Sequence, residues 1–407
     1  MKTALEGLRV LDLSRVLAGP WAGQTLADFG ADVVKIERPG SGDDTRSWGP
    51  PYIGDETDAM SAYFGAANRG KDSLGVDLRH SAGQALVRRL AASCDVLIEN
   101  FRVGTMAAFG LDYATLSCVN SGLIYCSISA FGQDGPESDT PGYDAMIQAM
   151  GGLMSITGGA DDEAGGGPQK VGVAVADLFS GMYAVSAILA ALQARERDGA
   201  GQFIDIALMD CQVAMLANQA MNFLVGGRAP GRLGTAHPNI VPYQAFPTRS
   251  GHIMVAVGND AQFRRLTDAL GEPRLAEDEH FATNRARVEN RAALLPVLTR
   301  LFTGRDTADW VGRLKQAGVP CGPVNTLDAV FAEPQVRHRN LRIDLPARSG
   351  AAIPGVANPV RFSATPVQYR CPPPQLGENG SRVLREWLSL SEPEIDALCA
   401  DGAILLS

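Results

Sequence analysis

The chain has 407 residues, too many for one simple core, which predicts two domains. Its 45% apolar and 20% charged content is that of a soluble globular protein, and a net charge of −9 without a Lys/Arg-rich run argues against a nucleic-acid partner. Seven scattered cysteines, odd in number and without CxxC, fit reduced thiols in a cytoplasm, and five scattered histidines have no metal-ligand spacing.

The N-terminal stretch MKTALEGLRVLDLS has no signal-like apolar core and leads into a strand pattern over Leu8 to Leu13. Pro20 to Phe29 reads as a helix with small residues, and Asp32 to Ile36 as a second strand ending in Glu37. Ala82 to Ala92 is a helix, and Asp95 to Ile98 and Gly122 to Ser127 are strands. This alternation predicts an α/β fold with a Rossmann-like, mainly parallel sheet. No GxGxxG follows the first strand, so a nicotinamide site has little support. Pro39 to Asp55, Gly132 to Gly142 and Gly158 to Gly167 are rich in Gly, Pro and Asp and read as loops able to carry site residues. No segment is expected to offer the uninterrupted apolar run that a membrane helix needs. The texture changes near Gly226, where a Gly/Pro-rich crossing precedes a strand, Gly251 to Val257, and several amphipathic helices. The expected division is a large domain over 1–225, a smaller α+β domain over 226–324, and a proline-rich return segment over 325–407 that completes the large domain. Helices close the chain at Ser381 to Ser389 and after Glu392.

The most informative residue is Asp177. Small apolar residues lead to it from Val171, and Leu178 to Leu192 continue at helical spacing until Arg195 to Gly199 stop the pattern. A carboxylate is thus placed where an apolar segment enters a mostly buried helix. Desolvation makes such an anion a better nucleophile, while the helix N-terminus favours its charge. Position alone favours an N-cap.

Several segments in order, LRVLDLSRVLAGPWAGQTLADFGADVVKIERPGSGDDTR, NRGKDSLGVDL, DVLIENFRVG, PGYDAMIQAMGG, VADLFSGMYA and GTAHPNIVPYQAF, together resemble the family III CoA-transferases, which include formyl-CoA and carnitine CoA-transferases. GDDTRSWGPP and GTAHPNIVPYQAF are most similar to the branch that moves CoA between succinyl-CoA and glutarate-like dicarboxylates. The resemblance implies coenzyme A esters as substrates, no tightly bound cofactor, and a homodimer of two interlocked rings. It implies that Asp177 attacks the donor thioester, forms a mixed anhydride, and then carries CoA as an aspartyl thioester. Asp144 matches an acidic position able to orient the nucleophile, and reads equally as a helix cap. Gly258 and Asn259 align with a glycine loop that covers the site in the family; a strand end capped by a helix start is the alternative. Leu17 and Ala18 would line the thiol channel, Arg38 would face the adenosine phosphates, Lys71 and Leu74 would flank the adenine, and Asn100 with Phe101 would follow the diphosphate and pantetheine. An Arg common in that segment is replaced by Ala108, which leaves Arg102 as a substitute phosphate contact. A dicarboxylate needs a distal cation, for which Arg15, Arg46 and His237 are the candidates.

An acyl-CoA racemase of the same fold is the main rival. It needs two bases, and where its His would stand this chain has Tyr143, a poor base with a reference pKa near ~10. A non-catalytic CoA-binding protein is the second alternative, and the retained Asp177 and Gly181 argue against it.

Overall fold

The computed structural model describes residues 2–54, 59–162, 164–346 and 352–406. Asp55 and Glu163, at the edge of one expected loop and inside another, lie outside the described residues. The chain forms two compact units, one of Met1–Leu153, Val171–Met221 and Val336–Ser407, the other of Met154–Lys170 and Asn222–Gln335.

The first unit begins with β1 (Arg9–Asp12), α1 (Ala18–Asp28), β2 (Asp32–Glu37), α2 (Ala62–Ala67), β3 (Lys71–Val76), α3 (Ser81–Ala92) and β4 (Val96–Glu99). It continues with β5 (Ile124–Ser129), α4 (Asp144–Met150), α5 (Val175–Asp198), β6 (Phe203–Ala207) and α6 (Leu208–Met215). The first six strands pair in parallel in the order β3-β2-β1-β4-β5-β6. Winding therefore starts at β1, runs outward through β2 and β3, and reverses at β4. Parallel strands covered on both faces are short apolar runs, as in the Val-Leu-Ile of β4, because neither face meets water. One core lies between the sheet and α3, around Leu11, Val34, Leu74, Leu90 and Leu97. The other lies between the sheet and α1 and α5, around Ala22, Leu26, Val96, Ile124, Ala184 and Ile188.

Helix α5 corrects one expectation. By length and composition it is apolar enough to cross a membrane. In the structure its buried stripe of Ala176, Ser180, Gly181, Ala184, Ile188 and Ala191 packs on the first unit. Arg195 in its last turn reaches Asp95 Oδ1 at 2.9 Å and the Gly122 carbonyl at 3.0 Å, which fixes the far end to the sheet.

The second unit has its own core around Phe246, Ile253, Val255, Phe263, Leu298, Phe302 and Trp310. Its antiparallel sheet is formed by β7 (Tyr243–Thr248), β8 (Gly251–Ala256) and β9 (Cys321–Pro323), with β8 central, and it carries α7 (Asp260–Leu270), α8 (Arg291–Phe302) and α9 (Thr307–Gln316). The stretch 154–170, which composition assigned to the large domain, belongs here. Arg232 holds it by pairing with Asp161 and donating to the Gly159 carbonyl at 3.2 Å, and Gly158, at φ +116, makes a turn that a side chain disfavours. The return to the first unit starts at Val336 rather than 325. It ends in α10 (Gly380–Leu388), α11 (Glu392–Ala400) and β10 (Ile404–Leu405), which closes the sheet antiparallel to β3.

Candidate functional site

Doubly wound sheets bind ligands outside the carboxyl ends of their strands, where the winding reverses. Here that point lies between β1 and β4, and a cavity of about 250 Å³ opens there. Arg15, Val16, Leu17 and Ala18 reach it from β1, Asn100, Phe101 and Arg102 from β4, and Ser129 and Ala130 from β5. Tyr143, Leu208 and Asp177 close it.

The turn after β1 is held by side chains rather than by regular structure. Asn100 Oδ1 accepts the Arg15 N–H at 2.8 Å, and its Nδ2 donates to the Arg15 carbonyl at 2.7 Å. Lys35 Nζ donates to the Ser14 carbonyl at 2.7 Å, and Asp12 accepts the Ser14 N–H at 3.0 Å. Asn100 thus lines the cavity with its amide committed to the Arg15 backbone, beside Phe101 and Arg102.

Asp177 sits in the first turn of α5 but is not its cap. Ala174 holds the cap position, without a side-chain bond. The capping is done from elsewhere: Asp144 Oδ1 accepts the Ala176 N–H at 2.8 Å, and Asp144 Oδ2 accepts Gln148 Nε2 at 2.7 Å. Asp144 opens α4 as its first helical residue and does not cap its own helix either. The carboxyl group of Asp177 has no hydrogen-bonding partner among the described residues, although the residue is only 9% exposed. Burial, and secondarily the negative charge of Asp144, push its pKa up from 3.8 to about 7. One turn on, Gly181 lets α5 approach α1: a Cβ there would lie 2.6 Å from the Ala18 carbonyl oxygen. Leu17, Ala18, Asp144 and Asp177 therefore belong to one constellation.

A second cavity, of about 190 Å³, adjoins it through Arg15 and Phe101, which line both. Arg38, Arg79, Leu78 and Phe109 complete its rim. Asp44 lies between Arg15, at 3.2 Å, and Arg38, at 3.5 Å, in exposed pairs that an incoming phosphate can replace at little cost. Arg79 was not anticipated; its position just after Asp77 at the end of β3 was concealed because that strand was not read as one.

Three expected contacts are corrected. Lys71 is fully buried, with Nζ 2.8 Å from Asp12, 2.8 Å from the Pro20 carbonyl and 2.9 Å from Asn68 Oδ1. Burial lowers its pKa to about 8 despite Asp12. Leu74 is part of the core under α3. Neither lines either of these two cavities. Arg46 is committed to Glu37 by two bonds of 2.7 Å, and its guanidinium lies 3.8 Å above the Phe64 ring, so it does not line the Asp177 cavity.

Beneath the cavities lies a charge array that sequence reading missed. Lys35, Asp43, Asp12 and Lys71 are wholly buried, as is Glu37, which also accepts Ser73 Oγ at 2.6 Å. Burial opposes the charge on Asp12, Asp43 and Glu37, yet the facing cations hold all three below their ordinary values. The one available signal was Lys35 between Val34 and Ile36, a cation inside a strand buried on both sides.

Gly258, Asn259 and His237 belong to the second unit. Asn259 caps α7 by accepting the Gln262 N–H at 2.9 Å, while Gly258 N donates to Gln262 Oε1 at 2.7 Å. His237 Nδ1 accepts the Asn239 N–H at 3.0 Å, within a turn.

Comparison with known proteins agrees with this geometry. The model of CoA-transferase family III matches residues 5–380. The chain is 51% identical to a succinate–glutarate CoA-transferase of Agrobacterium fabrum, over 95% of this chain and 96% of that protein. It is 44% identical to a succinyl-CoA:glutarate CoA-transferase of Mus musculus, over 98% and 90% respectively. A crystal structure of a CAIB/BAIF family protein from Brucella suis superposes with a TM-score of 0.84 at 50% identity, covering 95% of this chain and all of that one. The protein belongs to the family III CoA-transferases. It is an enzyme that acts on CoA thioesters and carboxylic acids.

Proposed function

We propose that this enzyme transfers CoA from succinyl-CoA to glutarate through an aspartyl thioester on Asp177. The observation that carries this reading is a buried carboxyl group, without a hydrogen-bonding partner among the described residues, on the wall of a cavity at the sheet's reversal point. An unpaired carboxylate is free to attack, and its raised pKa marks a basic, nucleophilic oxygen. Attack on the donor thioester carbonyl expels CoA thiolate and leaves a mixed anhydride between Asp177 and the succinyl group. The thiolate then attacks the Asp177 carbonyl, releases succinate and leaves the aspartyl–CoA thioester. Glutarate repeats the two steps in reverse order and departs as glutaryl-CoA. Both intermediates hydrolyse, so the walls of the cavity must exclude water.

The CoA nucleotide would lie in the adjoining cavity, with its phosphates on Arg38 and its pantetheine passing Phe101, Leu17 and Ala18 toward Asp177. Arg102 donates to the Asp139 carbonyl at 3.1 Å and is the second cation of the inner cavity. The identity of the acids rests on the two relatives named above. Arg15, poised over Phe101 with its guanidinium 5.3 Å from the ring, is then the reader of the distal carboxylate. Large apolar side chains exposed on α5 and α6, Phe179, Met182, Tyr183 and Val213, support a homodimer. A cytoplasmic location fits seven free cysteines.

The test is CoA exchange between succinyl-CoA and a panel of mono- and dicarboxylates, read by mass spectrometry. Hydroxylamine trapping should convert Asp177, and no other residue, to its hydroxamate. Exchange that survives intact in Asp177→Asn ends the covalent reading. Equal turnover of glutarate and valerate ends the dicarboxylate assignment alone.

A further inference from the structure

In the turn between β1 and α1, Val16 holds an unusual backbone conformation. Its φ of +70 lies in the left-handed region, which a β-branched side chain strongly disfavours. Something must hold it there. Its N–H donates to both carboxylate oxygens of Asp43, each at 3.3 Å. Asp43 is itself fixed: its oxygens accept Thr45 N at 3.0 Å and Thr45 Oγ1 at 2.8 Å, and Lys35 Nζ lies 3.0 Å away. The same Lys35 nitrogen donates to the Ser14 carbonyl. One buried ion pair thus grips the turn at two backbone atoms two residues apart.

Directly after Val16 comes the wall that faces Asp177. Leu17 and Ala18 line the inner cavity, and the Ala18 carbonyl meets α5 at Gly181, where even a methyl group has no room. Asp177 is one turn away on that helix. A slack turn at Val16 would shift this wall directly against the nucleophile.

We propose that Asp43, charge-balanced by Lys35, is a positioning residue for acyl transfer: it locks Val16 in its left-handed conformation and so sets Leu17 and Ala18 against the Asp177 carboxyl group. The proposal rests on the Asp177 reading above. Asp43 also borders the outer cavity, and a direct part in CoA binding or a mere counter-charge for Lys35 are the competing roles.

Glycine separates these roles, because it adopts φ +70 without being held. The full-length enzyme, Asp43→Asn, Val16→Gly and the Asp43→Asn/Val16→Gly pair are compared for succinyl-CoA:glutarate exchange below their melting temperatures. In Asp43→Asn, kcat should fall about 10- to 100-fold, the scale of a small misplacement of reacting groups. KM for succinyl-CoA should stay within about threefold, since ground-state contacts are kept. Adding Val16→Gly should restore kcat to within about fivefold of the Val16→Gly enzyme, at an unchanged melting temperature relative to Asp43→Asn. If Asp43→Asn does not fold, the charge-balanced Lys35→Met/Asp43→Asn enzyme carries the same comparison with and without Val16→Gly. No rescue by glycine, or a loss confined to KM, overturns the proposal. An unmodified enzyme that exchanges no CoA is a different result: it removes the parent reading, and the positioning role with it.

Discussion

Asp177→Asn should abolish turnover and make the protein more stable at neutral pH. The gap between the ordinary value of 3.8 and about 7 corresponds to about 4 kcal/mol by which the fold disfavours the ionised carboxyl group. Asn has nearly the same shape, and no hydrogen bond to the Asp177 carboxyl group is lost among the described residues. Proton counting sets the sign. Between pH 3.8 and about 7 the folded protein holds the proton that the unfolded chain has released, so wild-type stability falls as pH rises through that window. Above it the full penalty is present; below it there is none. The stability advantage of Asp177→Asn should accordingly be near zero at pH 4, grow steadily, and level off near about 4 kcal/mol above pH 7. Urea titrations of both proteins from pH 4 to 8 measure it, and exchange of label between succinyl-CoA and glutarate measures the loss of activity. A constant difference across that range, or an Asn enzyme less stable at pH 8, would refute the argument that Asp177 is an unpaired, desolvated acid.

The same carboxyl group should give kcat/KM an acid limb near pH 7, with rate rising as the nucleophile ionises; Asp144→Asn should move that limb to lower pH without bringing it to 3.8, because burial is the larger cause. A pH–rate profile identical in the two enzymes would contradict this. Gly181→Ala should cost about 1–3 kcal/mol by forcing α5 off the Ala18 carbonyl, and calorimetry with kcat measurements should show stability and rate falling together. Arg46→Met should cost about 3–5 kcal/mol by leaving the buried Glu37 without its bidentate partner, with little change in the ratio of glutarate to valerate turnover. Arg15→Met should instead erase that ratio while leaving the melting temperature within a few degrees, since its pair with Asp44 is exposed.

The sheet was legible where its strands obey simple chemistry. β1, β2, β4 and β5 are apolar runs, and each was found within a residue or two of its observed ends. β3 was not, because Lys71, Asp72, Ser73 and Gly75 break any apolar pattern; its lysine is buried only because Asp12 arrives from a strand two places away. β6 was missed because it stays half exposed at the sheet's edge even when paired with β5, with Phe203 and Asp205 on its open face, so it carries no full apolar run. At the site, Asp177 announced itself through its local surroundings. Asp144 was reached only through the family resemblance, and its part in capping the Asp177 helix did not show, because it lies 32 positions before Ala176, whose N–H it accepts. Arg46 and Lys71 showed charge in a promising place, and only the fold revealed that each charge was already spoken for.

The buried array of Asp12, Lys35, Asp43, Lys71, Glu37 and Arg46 also bears on how this enzyme can change over generations. Three anions and three cations share a largely buried space, so a neutral replacement of any one strands its opposite. Such positions drift most readily by paired exchange, and libraries that randomise them singly will be rich in destabilised members. Ser129, Ala130, Tyr143 and Leu208 line the inner cavity without belonging to that array. They are the positions at which a lineage, or an experimenter, can retune the preferred acid while the scaffold stays intact.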